Sequence, residues 1–297
     1  MFALGAACWA AVDDDQVQDL FQQHRWFELR DAVVSDRYAE ALIKGAVALA
    51  FNHPVEAELR LKAAVRLAKR SRQADAARDK LIELYLRTGR TAEAVRQMKT
   101  MLKRDPTPRP ETQNLLEEFR PLSARGDFSV HLPKGAVALP CEVKPEGVWL
   151  SLSVDGKPVK WLLDTGANFS TSDDSQVAAK VVVGGIEFHN VTILKGKRSV
   201  VGLPLLAAMQ TLSWKRDGTC RAGFASEESG AANLAFDDFN LIVRRVLGGK
   251  PVDHLLDTGS EKGSAGDENH QGSLGMDTLN QAAEVLIDFR RMTLVLR

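Results

Sequence analysis

Two stretches of the chain carry an acidic side chain at the same place in the same local sequence. Gly156 to Gly166 reads GKPVKWLLDTG and Gly249 to Gly259 reads GKPVDHLLDTG, a constant offset of 93 residues with nine of eleven positions identical. One Asp-Thr-Gly alone says little, because Asp and Gly are common turn formers. Two copies in matched contexts point to paired chemistry. If the copies pack about a pseudo-two-fold axis, Asp164 and Asp257 face each other. Two carboxylates that close cannot both ionise, so they hold one proton between them. One then acts as general base on a water while the other protonates a substrate carbonyl. Their titration belongs to the pair. The Thr165 and Thr258 hydroxyls suit hydrogen bonding across the axis, and Gly166 and Gly259 let backbone amides approach the carboxylates. A working dyad puts the carboxylates about 3 Å apart.

The elements that must position this pair read as β-structure. Alternating apolar residues predict strands over 136–143, 148–154 and 159–163, with Asp155-Gly156 as a hairpin turn. The same texture returns over 241–247 and 252–256, joined through Gly248-Gly249. Downstream, Val200-Val201-Gly202 leads through a short helix to Thr211–Trp214, and Ser273-Leu274-Gly275 leads through another to Val285–Phe289. The expectation is two related β-lobes, 127–222 and 231–297, with 225–232 as a flexible connector.

Before them, 16–120 reads as helix after helix. In Ala77 to Pro106, Leu81, Leu84 and Tyr85 form one apolar stripe. Gly89 allows a tight turn, and Ala92, Ala94, Val95, Met98 and Leu102 form the facing stripe. This unit resembles a tetratricopeptide repeat, with a weaker copy over 38–71 and a fragment over 20–34. A generic helical bundle is the alternative. Either offers a docking surface and no chemistry of its own. Residues 121–127 read as a linker. The fold class expected is thus multidomain α + β, with TPR-like helices followed by a mostly β, two-lobed domain whose second lobe is short.

The two Asp-Thr-Gly motifs, with the Val-Val-Gly and Ser-Leu-Gly segments after them, make the last 170 or so residues resemble aspartic proteases of the retropepsin–pepsin type. More narrowly, the chain resembles bacterial proteins with helical repeats before a retropepsin-like region. The resemblance implies that Asp164 and Asp257 are catalytic and that Thr165 and Thr258 form the grip beneath them. It also implies a polypeptide substrate, endopeptidase activity and no metal or organic cofactor. The chain departs from the family where a flap hairpin is expected. Asp164 to Gly202 spans 38 residues, with ordinary strands expected over 181–183 and 186–194, and Asp257 to Gly275 spans only 18. Two five-residue strands and a turn do not fit in the second interval. A shortened second lobe leaves two rivals open: a non-catalytic scaffold whose helices bind protein, and a dyad completed by a second chain.

Composition narrows the remainder. Thirty-nine Lys+Arg balance 39 Asp+Glu, which offers nucleic acid no basic surface excess. No apolar run reaches the roughly 18 residues that span a bilayer. Three cysteines without Cys-x-x-Cys exclude a thiolate zinc site, and Cys141 and Cys220 either pair or remain buried thiols. Residues 1–12 read equally as the remnant of an export signal, which would make the protein periplasmic or secreted, or as a tail on a cytoplasmic one. His254 is expected to pack or be solvated, Trp161 and Trp214 to pack, and the acid pairs Asp173-Asp174 and Asp237-Asp238 to lie in solvated turns.

Overall fold

Helical spacing in the first 120 residues becomes a run of α-helices in the computed structural model, which describes residues 14–32, 36–68, 73–104, 110–124, 126–226, 230–266 and 272–297. The segment read as an export signal lies outside these residues. The helices are α1 (Asp14–Gln22), α2 (Trp26–Leu29), α3 (Arg37–Ala50), α4 (Pro54–Leu67), α5 (Gln73–Arg87), α6 (Thr91–Leu102) and α7 (Pro110–Phe119). The Asp36 carboxylate caps α3 by accepting from Ala39 N–H at 2.8 Å, and Pro54 opens α4, where no N–H is needed. From α3 to α7, each helix packs on the next. Gly89 turns α5 into α6 with φ of 70°, as its position predicts. Leu81, Leu84 and Tyr85 are buried, as are Ala94, Val95 and Met98. Met101, rather than Leu102, completes the second stripe.

A 3₁₀ turn (Pro121–Ala124) leads into β1 (Ser129–His131), β2 (Val137–Leu139), β3 (Cys141–Lys144), β4 (Gly147–Val154), β5 (Lys157–Leu163), β6 (Ser170–Ser172), β7 (Gln176–Val183), β8 (Ile186–Lys195) and β9 (Val200–Val201). There follow α8 (Leu203–Ala208), β10 (Thr211–Lys215), β11 (Cys220–Ala222), β12 (Leu234–Asp237), β13 (Asn240–Leu247), β14 (Lys250–Leu256) and β15 (Ser273–Leu274). The chain closes with α9 (Met276–Leu279), β16 (Glu284–Asp288) and β17 (Thr293–Leu296). One sheet runs β1-β8-β6-β9-β5-β4-β3, with β7 pairing β4 and β8. A second runs β12-β13-β14-β15, and a third runs β17-β16-β10-β11-β2.

The duplicated sequence duplicates the register. Leu152 pairs with Val159 across β4–β5, and Arg245 with Val252 across β13–β14, each partner displaced by the same 93 residues. Asp155-Gly156 and Gly248-Gly249 both turn with positive φ at two successive residues, the geometry that suits a tight hairpin. Behind each Asp, a parallel pair forms: Leu163 with Val201, and Leu256 with Leu274. Gly202 and Gly275 then cap α8 and α9 in extended conformation. Finally β10 pairs antiparallel with β16, bringing Ser213 opposite Leu286. The third sheet therefore takes β2, β10 and β11 from the first stretch and β16 and β17 from the second, so the two stretches expected as separate lobes share a sheet.

Other expectations need correcting. The strand expected over 136–143 is two strands in different sheets, because Pro140 has no N–H to carry a ladder through it. Residues 121–127 do not separate the helices from the sheets: one apolar cluster runs from Trp26, Phe27, Ile43 and Phe51 into Phe236 and Phe289. Phe128 packs where a Cβ on Gly89 would stand. Asp237 is not in a solvated turn either. It is buried and accepts from Trp26 Nε1 at 2.9 Å, because residues 211 positions earlier cover it. Trp161 and Trp214 are buried as expected.

The junction has a titratable clamp. His24 Nδ1 lies 2.6 Å from Asp237 Oδ1, while Lys80 pairs with the adjacent Asp238 and with Glu83. The hydrogen bond to Asp237 raises the His24 pKa above its ordinary 6.5, against the opposing effects of burial and Lys80. A raised histidine pKa contributes stability that is fully present below about 6.5 and is lost as pH rises through the folded-state value. Thermal melts across pH 5.5–8.5 should show Tm falling over that interval, and His24→Gln should flatten the fall.

Cys141 and Cys220 form a disulfide joining β3 to β11, and so the first sheet to the third. Closing a loop whose ends are 79 residues apart restricts the unfolded chain. The chain-entropy relation puts the effect at about 4.5 kcal/mol. Cys141→Ser, or reduction, should lower Tm markedly, and the oxidised and reduced forms should differ by that order in urea unfolding.

Candidate active site

Each carboxylate follows a strand that starts exposed at its hairpin turn and ends on a buried leucine, where the parallel partner fixes the backbone that follows. Asp164 N–H donates to Val201 O at 3.1 Å and Asp257 N–H to Leu274 O at 3.0 Å. Each loop then folds its third residue back onto its own acid: Gly166 N–H donates to Asp164 Oδ1 at 2.9 Å, and Gly259 N–H to Asp257 Oδ1 at 3.0 Å.

The threonines lock one loop to the other. Thr165 N–H donates to Thr258 Oγ1 at 2.9 Å, and Thr258 N–H donates to Thr165 Oγ1 at 3.0 Å. Each hydroxyl in turn donates to a carbonyl of the opposite strand, Thr165 to Leu256 O at 2.7 Å and Thr258 to Leu163 O at 3.0 Å. Both residues are 0% exposed. Four mutual bonds in a dry setting leave little freedom for the loops to slide.

Gly166 and Gly259 have a further reason to lack side chains. A Cβ built on Gly166 would stand 2.7 Å from Asp257 Oδ1 and 3.2 Å from Asp164 Oδ1. The two oxygens are therefore no farther apart than the sum of those lengths, an upper limit close to the span of one water making two hydrogen bonds of about 2.8 Å. A Cβ on Gly259 would fall onto the Asp164 carboxyl. The sequence places these glycines for backbone approach; the structure adds that each also leaves room for the opposite carboxylate.

The pair is not symmetric. Asp164 is 8% exposed, and Asp257 is the more open of the two. Burial raises the Asp164 pKa first, and the neighbouring Asp257 charge raises it further. The Gly166 and Ala167 N–H groups and the Arg198 charge act in the opposite direction without overcoming that rise. Arg198, which belongs to no motif of the sequence, reaches from the loop before β9 to Gly259 O, with both Nη atoms at 3.4 Å. Phe169, just beyond the first motif, packs between Phe119 at 5.0 Å and Phe239 at 5.6 Å, its ring tilted to both. This contact ties the first loop to α7 and to the β12–β13 turn.

His254 stands 93 residues after Trp161 and takes the equivalent place on its strand. It is buried, its pKa is lowered by burial and then by Arg245, and its Nδ1 has no hydrogen-bond partner among the described residues. Its position is that of a core side chain. The only grouping of metal-ligating residue types found among the described residues is His24, Asp237 and Asp238, at the helical junction. Its carboxylates are already bonded to Trp26 and Lys80.

No hairpin corresponding to β7–β8 follows the second motif among the described residues. Among these residues no helix is long and apolar enough to cross a membrane. No family model and no curated protein matches the chain. One solved structure that resembles it is the crystal structure of a retropepsin-like aspartic protease from Rickettsia conorii. It aligns with 33% of this chain and 96% of its own, at 15% identity and a TM-score of 0.24.

Proposed function

We propose that the protein is an aspartic endopeptidase in which Asp164 and Asp257 share one proton and activate water. One observation carries this reading: the reciprocal Thr165–Thr258 bonds hold both acids at a single seam within one chain. A second chain is not needed to supply the other acid. Asp164, buried and with a raised pKa, keeps the shared proton. Asp257, the more open acid, takes a proton from a water lying between them as that water's oxygen bonds to the scissile carbonyl carbon. The Asp164 proton passes to the carbonyl oxygen, giving a neutral gem-diol. Collapse breaks the C–N bond, a proton goes to the amine, and the dyad returns with one proton. No covalent acyl intermediate forms, and Gly166 and Gly259 N–H groups orient the carboxylates throughout.

The reading extends to the rest of the chain. Helices α3 to α7 act as a TPR-like platform that docks substrate or a partner protein. The Cys141–Cys220 bond suits an oxidising compartment, which favours export. A second reading, a binding scaffold with a silent protease-like region, is favoured by the short second stretch and the lack of a covering hairpin among its described residues. Water exclusion would then be poor, and rate would suffer.

Cleavage of a reduced, unfolded polypeptide at pH 3–7, with new termini read by mass spectrometry, separates the two. Peptide-bond hydrolysis that is strongest in acid supports the dyad. Intact substrate across the whole range, with retained binding, selects the scaffold.

A further inference from the structure

The loop between β8 and β9 is basic and firmly held. Lys195, Lys197 and Arg198 stand in five consecutive residues, Lys195 to Ser199, and all three side chains are exposed. Lys195 N–H donates to Ser175 Oγ at 2.8 Å, Gly196 N–H to Ser172 O at 2.8 Å, and Thr171 Oγ1 to Arg198 O at 2.6 Å. A Cβ on Gly196 would press within 2.6 Å of Thr171 Cβ, so the loop lies tight against β6. Two residues on, β9 runs parallel to the strand that ends at Asp164. The loop therefore forms a fixed wall of the seam.

Arg198 is the member of that wall that crosses it. Its guanidinium touches the carbonyl of Gly259, in the opposite Asp-Thr-Gly loop, and its charge acts on Asp164. A guanidinium has five N–H donors, and one carbonyl at 3.4 Å leaves most of them unused. Among the described residues no carboxylate pairs with it, although most arginines near the helical junction have one: Arg25, Arg87, Arg90 and Arg244 are all paired. An unpaired, forked cation beside a hydrolytic centre is suited to a carboxylate arriving from outside. The second copy has no basic residue at the corresponding place: 73 positions on from Arg198 stands Gln271.

We infer that Arg198 forms a substrate subsite for an acidic side chain, so that the protein prefers peptides with Glu or Asp beside the scissile bond. The inference rests on the endopeptidase reading and gives it a substrate class. Lys195 and Lys197 add long-range attraction for an acidic segment. A bound carboxylate would also neutralise Arg198, removing the charge that opposes proton retention at Asp164.

The test uses the full-length protein and a set of extended peptides in which Glu, Gln or Lys occupies each position flanking the cleaved bond in turn. At pH 5.5, kcat/KM for the best Glu peptide should exceed that of its Gln twin about tenfold, mainly through KM. Arg198→Gln should lower kcat/KM for the Glu peptide about tenfold more than for the Gln peptide. Arg198→Glu should turn the preference toward Lys. The wild-type preference should fade below pH ~4, as the substrate carboxyl takes up its proton. Equal loss on all three peptides in Arg198→Gln would mean that the residue only braces the seam through Gly259, and would overturn the subsite. If the wild type cleaves nothing, the endopeptidase reading fails separately. Calorimetric binding of reduced-amide Glu and Gln peptides then decides: tighter Glu binding that Arg198→Gln removes upholds the subsite, and equal binding overturns it.

Discussion

Asp164→Asn and Asp257→Asn should each lower kcat on an unfolded polypeptide by about a thousandfold or more while the protein remains folded. Either change removes the shared proton's second home. Asn can neither accept the water's proton nor deliver one to the carbonyl oxygen or the departing amine, and general acid–base catalysis of this kind accounts for about 10²–10⁴ in rate. Stability should move the other way or stay level. Asp164 is 8% exposed and close to a second carboxylate, so a neutral amide relieves burial and repulsion at pH 7. A melt showing Tm unchanged or raised, alongside lost cleavage, separates loss of chemistry from loss of fold. Cleavage that survives either substitution over pH 3–7 would remove both acids from the mechanism.

Thr258→Val should cost about 3 kcal/mol of stability although the side chain keeps its shape. Its hydroxyl accepts from Thr165 N–H and donates to Leu163 O, and both partners lie in the buried region. Removing it leaves one N–H and one C=O unpaired away from water, at about 1–3 kcal/mol each. Thr165→Val should act alike through Thr258 N–H and Leu256 O. The two hydroxyls belong to one network, so the double variant should lose less than the sum of the singles. A double-mutant cycle in urea should show coupling of about 1 kcal/mol. Activity should fall with stability held constant by temperature, because the carboxylates lose their fixed separation. Additive, small losses would mean that the four bonds do not act as a grip.

The duplicated hairpin was legible because sequence identity at a fixed offset forces identical turns and register, as Leu152–Val159 and Arg245–Val252 show. The threonine bonds were legible for the same reason. Most of the helical stripes were readable from spacing, with the turn at Gly89, but spacing put Leu102 where Met101 is buried. Other features depended on partners distant in the chain. Asp237 reads as a loop acid until Trp26 and His24 close over it, 211 and 213 residues earlier. Pro140 interrupts an apolar alternation that otherwise continues through it, so periodicity hid the change of sheet. Arg198 had one sequence signal, a basic run just before Val200-Val201. Its reach to Gly259 follows only once β9 has paired with β5. The glycines were assigned for their backbone freedom, and only the folded seam shows the opposite carboxylate occupying the space.

Carbon-13 NMR of the aspartate carboxyl carbons, assigned with the two Asn variants and followed from pH 2 to 8, addresses the shared proton itself. The Asp164 carboxyl should titrate above the ordinary aspartate value, and Asp257→Asn, by removing the neighbouring charge that helps to raise it, should bring that midpoint down. An Asp164 curve at the ordinary aspartate value of about 3.9, indifferent to Asp257→Asn, would contradict the account.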